Sequence, residues 1–108
     1  MSHFEDVELP WSDALVMVCS KCFTRRGGKG GGELKSVDDV KSFLKSTFKH
    51  EGYKGKVRVV VSSCLDICPE DRLAVVVARR HHHPPLKALT VDFDTTPEKL
   101  FRELEELV

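Results

Sequence analysis

The sequence predicts an α/β domain: a four-stranded mixed sheet with two main helices, in the order β-α-β-β-β-α. Three observations carry this. The 108 residues amount to about one domain. Four short runs are rich in Val, Leu and Ala, which pack well on a pleated surface. Two further segments repeat apolar residues at helical spacing behind a capping hydroxyl.

The elements follow in order. Residues 1–13 carry acids, Pro10 and the single Trp11 with no sustained period, and read as an N-terminal arm whose Trp11 packs against the domain of residues 14–108. Ala14 to Val18 is apolar on consecutive residues, as expected of a central strand covered on both faces. The stretch Phe23-Thr24-Arg25-Arg26-Gly27-Gly28-Lys29-Gly30-Gly31-Gly32 has no apolar period and cannot sustain a helix, so it reads as a loop. Ser36 is placed to cap a helix over about Val37 to His50, with Asp39 reaching back and Val37, Val40, Phe43, Leu44 and Phe48 on one face. Gly52 suits its stop.

Val57 to Ser62 is the second strand and Leu73 to Ala78 the third. Leu86 to Phe93 is the fourth, where Leu89, Val91 and Phe93 alternate with Thr90 and Asp92, the pattern of a sheet wet on one face. The connection Arg79-Arg80-His81-His82-His83-Pro84-Pro85 is too long for a tight hairpin. Thr96 caps and Pro97 opens the last helix, whose buried stripe is Leu100, Phe101, Leu104 and Leu107.

Composition excludes several functions. Lys+Arg 17 balances Asp+Glu 17, so no overall field recruits nucleic acid or an anionic membrane. No apolar run approaches the roughly 20 residues that span a bilayer. The acidic start Met1 to Glu8 lacks the basic and apolar segments of a secretory signal, so a cytoplasmic protein is expected. In a reducing compartment, four cysteines in two close pairs point to metal ligands or redox thiols more than to a disulfide framework.

Both pairs follow strands. Cys19-Ser20-Lys21-Cys22 comes straight after the first strand, and Ser62-Ser63-Cys64-Leu65-Asp66-Ile67-Cys68-Pro69 ends the second. Two strands joined through a helix form a parallel unit whose carboxyl ends share one edge, where open sheets put their sites. Topology alone therefore brings the thiols together. Converging thiolates repel unless something positive holds them or they pair, so an iron–sulphur cluster, zinc and disulfides are the candidates.

This order, with Cys-x-x-x-Cys behind the second strand, resembles the thioredoxin-like 2Fe–2S ferredoxins. It is also similar to the iron–sulphur domain of the small NADH-dehydrogenase subunit. The resemblance covers roughly Ala14 to Val108 and is most specific in Val59-Val60-Val61-Ser62-Ser63-Cys64-Leu65-Asp66-Ile67-Cys68. It implies a thioredoxin-like sheet and a 2Fe–2S cluster on Cys19, Cys22, Cys64 and Cys68. It further implies one-electron carriage to and from a redox partner protein, no substrate turnover, and a homodimer. The chain departs from the family in one place: only Ser20 and Lys21 separate the first two cysteines, so the loop that members insert between these ligands would here begin after Cys22.

Other readings stand beside this one. Zinc on the same four thiols is one, since Cys-x-x-Cys is a common zinc half-site. A zinc-bound or metal-free interaction module displaying the Gly-rich basic loop is a second. A thiol-disulfide oxidoreductase using Cys19 and Cys22 is a third. The glycines count against it because no long helix starts at Cys19 to lower its pKa, and Pro69 lies too far ahead of the third strand for that fold's cis-proline. Lys21, Arg25, Arg26 and Lys29 would moderate a cluster's negative charge, with Asp66, Glu70 and Asp71 opposing them. The Gly-rich loop lacks the spacing of a nucleotide-binding loop and reads as a flexible, partner-docking segment. His81-His82-His83 reads as solvated, because neighbours on an extended segment point in alternating directions.

Overall fold

A computed structural model describes residues 5–9, 11–24, 33–65, 67 and 72–108. Among these the chain forms β1 (Ala14–Cys19), α1 (Ser20–Thr24), α2 (Val37–Phe48), β2 (Val57–Ser62), β3 (Arg72–Arg79), β4 (Leu86–Asp92) and α3 (Pro97–Leu107). The four strands make one mixed sheet in the order β2-β1-β3-β4. β1 and β2 run parallel, from Ala14 opposite Val57 to Cys19 opposite Ser62. β3 is antiparallel to both β1 and β4.

The core lies on one face of this sheet. Ala14, Val16 and Val18 of β1 and Leu73, Val75 and Val77 of β3 are wholly buried, together with Val40, Leu44 and Phe48 of α2 and Leu100 and Leu104 of α3. The two long helices meet through Phe48, which sets its ring edge-on to Phe101 (centroids 4.7 Å apart) and to Tyr53 (5.4 Å). Edge-to-face contacts of this kind add to what area burial alone supplies. The other face is less covered. Leu15 and Met17 are only half-buried, so β1 is central but not sealed on both sides as its apolar run predicts. The reason is that α2 and α3 both take the same face.

The caps form as the sequence predicts. Ser36 Oγ accepts from the Asp39 backbone N–H at 3.1 Å, and Thr96 Oγ1 accepts from that of Lys99 at 3.2 Å, with Pro97 opening α3. Each cap satisfies a donor the helix cannot, so Ser36→Ala and Thr96→Ala should each cost about 1 kcal/mol. Urea unfolding measures this, with Ser46→Ala at an exposed site of α2 as a control that moves the midpoint little.

α2 stops at Phe48, two residues before the expected end, and the chain continues through one π-helical turn, Lys49–Tyr53. That turn closes at Gly52, whose φ of 92° is the left-handed conformation that glycine tolerates best. β4 likewise ends at Asp92, one residue early, and Phe93 turns into the core. Trp11 is half-buried, and its carbonyl accepts from the Arg80 guanidinium at 3.5 Å. Arg79 is a structural residue that periodicity does not reveal: its guanidinium donates to the carbonyls of Leu107, at 3.2 Å, and Pro84, joining the end of α3 to the β3–β4 connection. His81 to His83 are exposed in that connection.

Candidate functional site

The parallel pairing of β1 and β2 decides where the cysteines go. Cys19 is the last residue of β1, and its register partner Ser62 is the last of β2. Beyond this pair the two chains stay tied, because the Lys21 backbone N–H donates to the Ser63 carbonyl at 3.2 Å. Ser62 then donates its hydroxyl to the carbonyl of Cys64 at 3.3 Å, which turns the chain back toward the sheet.

Cys22 reaches the same place through α1, a short helix not expected from the sequence. Its anchor is Phe23, buried against Phe93 with ring centroids 5.1 Å apart and an interplanar angle of 75°. Phe23 and Thr24 therefore belong to a helix and not to the Gly-rich loop. The signal available was slight: Cys22 and Phe23, two adjacent apolar residues ahead of the glycines, both buried in α1. Arg25 to Gly32, the rest of the predicted loop, lie outside the described residues, as do Asp66, Cys68, Pro69, Glu70 and Asp71.

Three thiols share one cavity. Cys19, Cys22 and Cys64 line a space of about 280 Å³ whose walls are completed by Leu65, Ile67 and Ala74, with Lys21 at its rim. It lies at the carboxyl ends of β1 and β2, on the sheet face that α2 and α3 leave open. Cys19 and Cys22 are buried, Cys64 is half-buried, and Leu65 and Ile67 pack onto the core. The site is thus sulphur-rich, mostly apolar and partly screened from water. Soft thiolate donors in such a setting suit iron–sulphur clusters, zinc or copper(I) over hard cations.

No protein-family model, curated protein or solved structure matches this chain.

Among the described residues, no three His, Cys, Asp or Glu side chains are grouped so as to hold a single metal ion. A tetrahedral zinc takes four thiolates, and a binuclear cluster takes two on each of two irons. The described cysteines are divided that way: Cys19 and Cys22 arrive from β1 and α1, and Cys64 from the segment after β2, the segment that also bears Cys68. The donor set and the dry wall of Leu65, Ile67 and Ala74 fit such a cluster.

Away from the cavity, the Tyr53 phenol titration is shifted upward. Partial burial, then the Glu105 carboxylate that its hydroxyl meets at 3.4 Å, raise its phenol above the usual value. Tyr53 lies at the α2–β2 side of the sheet and takes no part in the cysteine site. Among the described residues no helix is long and apolar enough to cross a membrane.

Proposed function

We propose that this chain is a 2Fe–2S protein of the thioredoxin-like ferredoxin type, a cytoplasmic one-electron carrier that works between partner proteins. The observation that carries the reading is the sharing of one cavity by Cys19, Cys22 and Cys64, delivered there by two parallel strands. The sheet supports it too, since a mixed sheet with a parallel β1–β2 pair and antiparallel β3 and β4 is compatible with the plan the resemblance implies.

In this reading Cys19 and Cys22 form one ligand pair and Cys64 and Cys68 the other. When bound, the cluster supplies one reversible electron. The chain's own residues set the terms of the exchange. Leu65, Ile67 and Ala74 keep water from the thiolates, which lowers the local dielectric and makes nearby charge count for more. Lys21, exposed at the rim, offsets part of the negative charge that four thiolates bring and favours the reduced state. The half-exposure of Cys64 leaves a short path to the surface for electron exchange. None of these roles requires a general acid, a general base or a bound substrate.

A reductive titration tests the proposal. Protein purified without oxygen should take up about one electron per chain and develop the paramagnetic signal of a reduced binuclear cluster. Uptake of two electrons with no paramagnetic species would instead mark a dithiol–disulfide couple on Cys19 and Cys22, and would set the ferredoxin reading aside.

A further inference from the structure

β2 is one of the two outer strands of the sheet among the described residues, so one side of its backbone has no strand beside it. Such edges invite pairing with another extended segment. Along this one runs a groove between α2 and the strand, lined by Val57 and Val59 below and by Lys41, Lys45, Lys49, Lys54 and Arg58 around it. Among the described residues, no acidic side chain lines it. Lys41, Lys45 and Lys49 recur every four residues, which sets a cationic row roughly 12 Å long beside the strand.

The same chain carries a segment of opposite character. Glu5-Asp6-Val7-Glu8-Leu9 is exposed throughout and forms no regular structure, with Val7 81% and Leu9 52% exposed, so it does not occupy the groove of its own chain. It has three carboxylates and an extended length of roughly 13 Å from Glu5 to Leu9, close to that of the lysine row.

We propose that the acidic arm of one copy adds as a strand to the β2 edge of a second copy, and that mutual exchange of arms closes a twofold dimer. Strand geometry accounts for both kinds of arm residue. With a period of two, Asp6 and Glu8 fall on one face and Val7 and Leu9 on the other. The carboxylates then meet the lysine row beneath α2. Val7 and Leu9 extend the apolar row of Val76, Met17 and Val60, which register places side by side on the open sheet face and which is half-buried in one chain alone. Neither the arm nor the groove contains a cysteine, so this association is independent of the cluster.

Sedimentation equilibrium of the full chain under reductant tests it. At low ionic strength a dimer is expected, weakening roughly tenfold or more at high salt as the charges are screened. The pair Lys45→Glu with Lys49→Glu should be monomeric, as should the pair Asp6→Lys with Glu8→Lys, each with unchanged circular dichroism. Mixing the two altered proteins should restore association, since the native acidic arm of one then finds the native lysine groove of the other. A native chain that stays monomeric at low salt would overturn the proposal. So would a dimer that survives in both reversed proteins, because its interface would lie elsewhere.

Discussion

On the proposed 2Fe–2S reading, replacing Cys22 by serine should lower the iron content of the purified protein by as much as replacing Cys64. The two thiols come from different elements, Cys22 from α1 and Cys64 from the turn after β2, yet line one cavity. If both are ligands, each loss leaves an iron with an incomplete thiolate set, and the oxygen of serine is a poorer donor for a soft site. Iron content and visible absorbance of the purified variants measure the effect. Far-UV circular dichroism should stay native, which separates loss of a ligand from loss of the fold. Full cluster in Cys22→Ser beside an empty Cys64→Ser would show that the first ligand pair is wrongly assigned, the place where this chain departs from the ferredoxin spacing.

Truncating Phe48 to alanine should cost about 3–5 kcal/mol of stability, the usual range when a buried aromatic side chain leaves a cavity behind. Phe48 is 1% exposed and is the ring through which α2 touches both Phe101 of α3 and Tyr53. A loss of that size is a large share of the roughly 5–15 kcal/mol that holds a domain of this kind together. Urea unfolding should show a much lower midpoint, whereas Ser46→Ala at an exposed site of α2 moves it little. A small effect at Phe48 would mean that the α2–α3 contact closes up around the missing ring.

Strands and long helices were legible because their signals are local. β2 runs from Val57 to Ser62 as its apolar composition indicates, and Ser36, Thr96 and Pro97 mark helix starts whose hydrogen bonds form as expected. The parallel relation of β1 and β2 was also legible, since a helix must carry the chain back between them. From that relation came the meeting of Cys19, Cys22 and Cys64.

What escaped depends on contacts distant in sequence. Phe23 looks like the start of a glycine-rich loop, and the contact that anchors its helical turn is with Phe93, distant in sequence just after β4. The second face of β1 looks buried because its side chains are apolar, but apolar residues also line faces that stay partly open. Arg79 gives no periodic signal because it bonds to carbonyls that tertiary folding brings near. The row Lys41, Lys45 and Lys49 gives no signal of its own, since its setting comes from the neighbouring edge of β2.

The cluster itself is the central claim, and iron, zinc and acid-labile sulphide analysis with a visible spectrum tests it most directly. Protein made in iron-replete cells and purified without oxygen should be red-brown, with about two irons and two sulphides per chain. Stoichiometric zinc, or a colourless protein free of metal after the same handling, would contradict the account and leave the thiol-lined cavity to an interaction module on the same fold.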